Sequence, residues 1–316
     1  MRSLPAGNVP PPSLSGALAA WTFDPVTTAV VLLMLVGCLA AARRGGRLPG
    51  WRWALLGAGC AVALIAADGW PGAYAASLAW VFVVRLCALL LGAPALVAFA
   101  RPELLLPESW RRRRPLGRAG RALGHPLVGP LLLPVLIGVV IFTPLFTLAV
   151  RDRPVTWALD GVLLIVGTVL AAPLARAGEQ DSSLRMGVVL FVGLFELLID
   201  AIPGVALRLD GHVVPAVAAL AAHRGGPPNA LHDQQLAGAV LWGVAELIDL
   251  PFLLVVFRQW VRADQHEATV VDRRVAERGT DPAESDRERP WWEQDATVFG
   301  DHRRRELQGR RDPQDS

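Results

Sequence analysis

The stretch AYAASLAWVFVVRLCALLLGAPALVAFA, residues 73–100, decides the fold of this chain. As a helix it is long enough to cross ~30 Å of hydrocarbon, for which about 20 residues suffice. It carries one charged group, Arg85, near its middle. A cation at mid-bilayer costs at least about 2.5–3.5 kcal/mol, so Arg85 is expected to face a bundle interior and to meet acids there. Two later apolar stretches offer them: FELLIDAIPG (195–204) with Glu196 and Asp200, and AELIDLPF (245–252) with Glu246 and Asp249. At ~1.5 Å of rise per residue, Glu196 and Glu246 fall near the depth of Arg85. Asp200 lies a turn further out, Asp249 a turn further in, and Asp160 enters another apolar stretch at outer depth. Within each stretch the two acids share a helix face. So many acids cannot all be ionised around one arginine in a low dielectric. The cluster therefore reads either as a buried salt bridge that fixes helix register or as a site for an ion, proton or metal.

Composition agrees with a membrane protein. Hydrophobic residues make up 53% of the 316-residue chain, and the mean hydropathy is +0.40, above that of ordinary soluble domains. Seven apolar runs are long enough to span, at about 25–42, 52–67, 73–100, 126–150, 154–175, 185–206 and 236–257. The predicted fold is an all-α integral membrane protein, a seven-transmembrane-helix bundle occupying 25–262. Residues 1–24 form an extracytoplasmic N-terminal segment, and 263–316 a charged, mostly disordered cytoplasmic tail with a helical start. In that tail Trp291 and Trp292 read as a docking or interfacial pair, or as a chance one.

Charge sets the expected orientation. Arg43, Arg44, Arg47 and Arg52 lie between the first two runs, and Arg101, Arg111 to Arg114, Arg118 and Arg121 between the third and fourth. Arg176 and Arg185 bracket the fifth loop, and Arg258 and Arg262 follow the last run. The alternate loops are poorer, despite Arg151 and Arg153. The positive-inside rule then places the N-terminus outside and the C-terminus in the cytoplasm. The first span is expected to be retained, since no small-residue cleavage site follows it. A net charge of +3 is too small to imply nucleic-acid binding, because the arginines flank the spans.

Few residues suggest chemistry. Cys38, Cys60 and Cys87 lie on three separate spans without CxxC spacing, so neither a disulfide framework nor a closed zinc site is expected. Met34 and Cys38 share a face and offer soft ligands for copper, although such pairs usually pack. His212, His223 and His232 lie in a predicted loop, 207–235, and read as solvent-facing. No Ser–His–Asp set, Gly-rich phosphate loop or Walker motif occurs, and the chain is not expected to be an enzyme.

The segment HDQQLAGAVLWGVAELIDLPFLLVVFRQWVRADQHE, from His232 to Glu267, resembles the last span of the CtaG-like cytochrome c oxidase assembly factor family. The features that carry the resemblance are DQQLAG (Asp233, Gln234, Gly238), then Trp242, and RQWVRAD from Arg258 to Asp264. WTFDP (21–25), LGAPALVAFARP (91–102) and HPLVGPLLLPVLIGVVIFTPLF (125–146) resemble the family's first, third and fourth spans. The resemblance implies a seven-helix protein of a bacterial cytoplasmic membrane that helps mature a haem–copper oxidase. Oxidase subunits would be its partners, with the lipid bilayer around it. It would act by binding rather than catalysis.

The chain also departs from that pattern. The paired histidines that the resemblance would place on the third span fall at Tyr74 and Leu78, and that of the fourth near Phe142 to Pro144. PVTWALDG (154–161) stands where a histidine-rich entry to the fifth span would be. The chain thus reads as a divergent member whose copper ligands are not evident, and no metal residue is assigned. Asp233 and Gln234 are expected either to favour the N-terminal dipole of their own helix or, with Trp242, to contact a partner. The rival reading is a secondary transporter or proton-coupled channel built around Arg85 and the intramembrane acids. The likeness of ELLIDAIP to ELIDLP would fit an inverted repeat of that kind.

Overall fold

The computed structural model describes residues 19–106, 128–174, 183–224 and 226–278, and among these every regular element is helical. The helices are α1 (Pro25–Arg43), α2 (Gly50–Asp68), α3 (Trp70–Tyr74), α4 (Ala79–Cys87), α5 (Ala93–Ala100), α6 (Val128–Phe142) and α7 (Pro144–Arg151). They continue with α8 (Arg153–Leu174), α9 (Ser183–Leu209), α10 (Pro215–Arg224) and α11 (Ala230–Arg278). Among the described residues five helices are long and apolar enough to cross a membrane, and six if the bent pair α6–α7 counts as one span. Many of their large side chains point outward, Leu33, Phe191 and Leu198 among them. In water such a surface would be a liability; against lipid tails it is the favourable one. The protein is a multi-pass helical membrane protein.

Local chemistry explains where the helices start and break. α1 begins where Asp24 accepts hydrogen bonds from Val26 N and Thr27 N, with Pro25 at the first helical position. Proline is preorganised there because its missing N–H would have had no helical partner. The stretch 73–100 is not one straight helix, contrary to expectation. The chain turns after Tyr74, restarts at Ala79, and widens into a π-helical turn over Ala88–Gly92. Pro94 accounts for that turn: it has no N–H for the Leu90 carbonyl four residues back, and its ring would clash there. The composite of α4, π turn and α5 is the buried heart of the bundle, with Leu86, Leu89 and Leu90 fully enclosed.

The fourth apolar run also differs from expectation, bending by 66° between α6 and α7. Thr143, held extended by the following proline, sits at the bend, donating to Val139 O at 2.6 Å and accepting from Leu145 N at 3.2 Å. The bend delivers Phe146 to Phe82 of α4, where the rings stack with centroids 4.2 Å apart. The predicted loop 207–235 is largely helix instead: α9 runs to Leu209, α10 occupies the middle and α11 begins at Ala230. α10 was hidden from a reading based on long apolar runs because it is short. Its Ala216, Val217 and Leu220 nevertheless bury into the main core. The tail is helical to Arg278 as far as it is described, and Trp291 and Trp292 lie outside the described residues. Contacts divide the chain into two units, Met1–Trp260 and Val261–Ser316.

Glycines let helices touch at two crossings. A Cβ at Gly167 of α8 would stand 2.1 Å from the carbonyl oxygen of Leu90, within the π turn. A Cβ at Gly238 of α11 would stand 2.6 Å from Gly204 O and from Arg208 N of α9. Both obstacles are backbone, which cannot step aside cheaply. Gly167→Val is expected to destabilise the bundle by at least about 1–3 kcal/mol, the scale of an overpacked core. Gly37→Ala, with nothing within 4 Å of the new methyl, should leave stability near that of the wild type. Thermal unfolding in detergent compares the two.

Candidate functional site

Two polar assemblies occupy the end of the bundle where α1, α4 and α8 begin and α2 finishes. In the first, Arg85 lies six residues into α4, about 9 Å from its start, with its side chain enclosed. Its Nη2 is paired with Oδ2 of Asp160 on α8 and lies 3.6 Å from Oδ2 of Asp24. Asp24 is a shared acceptor: Oδ1 receives Val26 N (2.9 Å) and Thr27 N (3.1 Å), and Oδ2 receives the Thr27 hydroxyl (3.0 Å). The Asp24 backbone N–H donates to Asp68 Oδ1 at 2.7 Å, and Asp68 Oδ2 accepts from the Thr28 hydroxyl at 3.0 Å. Through these links one guanidinium and three carboxyl groups join α1, α2, α4 and α8.

The second assembly is built from DQQLAG. Asp233 and Gln234 are both 0% exposed. Asp233 Oδ2 accepts from Ala79 N (3.1 Å) and Oδ1 from Trp80 N (3.2 Å), the first amides of α4. Leu78 precedes those amides and offers no capping oxygen, so an acid from another helix satisfies them. Arg224 Nη1 completes the site, 3.0 Å from Asp233 Oδ2, and also donates to Ser77 O at 2.5 Å. Gln234 uses both ends of its amide: Oε1 accepts from Val214 N (2.8 Å), and Nε2 donates to His212 O (3.0 Å) and Leu207 O (3.3 Å). These two side chains tie the α9–α10 connection and the entry of α4 to the start of α11.

Arg85 is answered by Asp160 and Asp24. Glu246 accepts from Trp242 Nε1 at 2.5 Å. Asp200 is buried on α9, while the side chains of Glu196 and Asp249 lie outside the described residues. Asp233 stands in the first turn of α11, where an acid favours the helix dipole, while the cap of that turn is Asn229, whose Oδ1 accepts from Leu231 N at 2.9 Å. The buried Asp233 and Gln234 present no face to a partner, whereas Trp242 is partly exposed.

The residues missed from sequence are Asp24, Asp68 and Arg224. Asp24 could have been found from Asp-Pro at the head of an apolar run, a helix-start signature. Asp68 and Arg224 left no comparable signal. His212, His223 and His232 are exposed as expected.

The donor set does not fit a copper centre among the described residues. Tyr74 and Leu78 stand at the positions compared with paired histidines, and they pack with Val81 in an apolar cluster. Cys38 is buried beside Leu56 and Val97, with Met34 packed against that cluster. Among the described residues no three His, Cys, Asp or Glu side chains group as metal ligands.

A bundle of membrane helices, pinned at one end by buried ion pairs, defines a structural class. Its family is specific. Residues 32–263 match the model of the cytochrome c oxidase caa3 assembly factor family, and the chain belongs to that family. An uncharacterized protein of Mycobacterium bovis and one of Mycobacterium tuberculosis are each 25% identical to it over 289 residues, covering 83% of this chain and 42% of theirs. The chain thus spans less than half the length of these curated relatives. No solved structure matches it.

Removing one partner of a buried ion pair leaves an uncompensated charge, which typically costs about 3–5 kcal/mol. Arg85→Met is expected to lower stability on that scale because it strands Asp160 and Asp24. The double variant Arg85→Met/Asp160→Leu should recover part of the loss. A double-mutant cycle on thermal unfolding of the detergent-purified protein checks this.

Proposed function

We propose that this protein is a membrane-embedded assembly factor for a haem–copper cytochrome c oxidase, working by binding oxidase components rather than by catalysing a reaction. Family membership carries the first half of this reading. The second half is supported by how the buried polar groups are used. Asp24, Asp68, Asp233, Gln234 and Arg224 are each bonded to the backbone of another segment or to a residue that is. They act as fasteners, and the result is a stiff platform whose outward faces are open to a partner.

The proposed setting is a bacterial cytoplasmic membrane, with seven crossings in which α11 supplies the last. The N-terminus lies outside and the C-terminal tail in the cytoplasm. Two independent features favour this topology. The arginine-rich loops alternate as the positive-inside rule requires. The starts of α1, α4, α8 and α11 and the finish of α2 converge on one end through the contacts of Asp24, Arg85 and Asp233, as alternating crossings demand.

Deleting the gene should lower cytochrome c oxidase activity and the haem a absorbance of membranes while oxidase transcripts stay at wild-type level. Complementation with the full chain should restore both, and Asp233→Ala should restore them only in part, because it frees the α4 entry. Intact oxidase in the deletion strain would refute the assembly reading.

A further inference from the structure

Glu246 is an acid in the middle of the apolar run 236–257, and its placement on the bundle is unusual. It is not enclosed as Arg85 and Asp160 are. It lies on the outside of α11, where its carboxylate receives the indole N–H of Trp242, itself 39% exposed. Beside it runs an outward stripe of Gly243, Leu247, Leu250, Leu254 and Phe257, all exposed, with Leu247 at 73%. These positions advance by four, three, four and three residues, the spacing of a seam that meets a second helix. Glu246 is three residues after Gly243 and four before Leu250, so it adjoins the stripe on the helix surface.

A face meant only for lipid has no use for a carboxylate at this depth, where ionisable groups are costly and normally paired. One indole N–H occupies only part of the acceptor capacity of a carboxylate. Gly243 meanwhile leaves the open space that lets a neighbouring helix backbone come close, since nothing lies within 4 Å of where its Cβ would be. We infer that this face of α11 docks a transmembrane helix of a partner protein. Gly243 admits its close approach, and Glu246 accepts from a cation or hydrogen-bond donor that the helix carries at mid-bilayer.

A second copy of this chain is a poorer occupant. A two-fold contact along the stripe sets the same patch against itself and brings like acids together. The inference deepens the proposed assembly role by naming its contact face. It rests on that reading for the partner's identity and, for the depth of Glu246, on α11 as the last crossing.

The full chain, donor-labelled and reconstituted in phosphatidylcholine–phosphatidylglycerol vesicles, would be mixed with acceptor-labelled polyleucine transmembrane helices bearing either Arg or Leu at the centre. Energy transfer should report association of the Arg helix about 3- to 30-fold stronger than that of the Leu helix, the range expected of an interhelical polar contact in lipid. Glu246→Leu should remove the preference, and Gly243→Ile should weaken binding of both helices. Equal association of the two helices, or a preference that survives Glu246→Leu, overturns the inference. Self-association of the chain that Gly243→Ile abolishes overturns it too, by giving the face to a second copy. Should Glu246→Leu fail to reconstitute, the Arg-against-Leu contrast on the wild-type chain decides alone. No oxidase enters this assay, so its failure removes the docking face and leaves the deletion phenotype to judge the assembly role.

Discussion

A guanidinium withdrawn from water must be answered, and the answer given to Arg85 positions much of the bundle. Coulomb attraction in a low-dielectric interior is strong, but desolvating the partners is costly, so such a group persists only where geometry is good and remaining polar atoms are satisfied. Here the acids come from α8 and from the residue before α1, and the latter is held in turn by α2. Four helices that share little beyond apolar contacts further along are thereby given one rotational and axial setting. Apolar packing among lipid-soluble helices is tolerant of sliding, because lipid tails are as apolar as leucine. Directional polar contacts remove that freedom.

Asp233 extends the same logic to the last helix. It spends its charge on amides that open α4 and on Arg224, so the connection between α9 and α11 cannot lift away without exposing two unsatisfied N–H groups. Gln234 fastens the preceding turn by the same means. Gly238, one helical turn further along, makes close passage of α9 possible. The motif that carried the family resemblance is therefore chiefly a description of how one helix is locked to its neighbours, with Trp242 turned to the outside.

Much of the architecture was legible in the sequence because the bilayer imposes a length on every crossing. The apolar runs at 25–42, 52–67, 154–175 and 185–206 correspond closely to α1, α2, α8 and α9. Breaks inside runs were not legible, since hydropathy is blind to a proline's effect on the carbonyl four residues back; hence the π turn before Pro94 and the bend at Thr143. Distance along straight helices does not identify Asp24, which reaches Arg85 from outside any helix, and α4 starts six residues later than the apolar run at Ala73 suggests. Arg85 and Asp160 are both buried, and their third companion, Asp24, lies in the segment that precedes the first apolar run.

The bend at Thr143 has a bearing on all of this. Asp152 alone separates α7 from α8, and the Thr156 hydroxyl bonds back across that joint to Ala149 O. The chain from the bend to Asp160 is therefore a ruler with no slack. One residue more or less within α7 would rotate everything beyond it by about 100° and swing Asp160 away from Arg85. The hairpin between α7 and α8 that looks like a mere connection thus carries metrical information, and its length is part of the code that sets the buried charge.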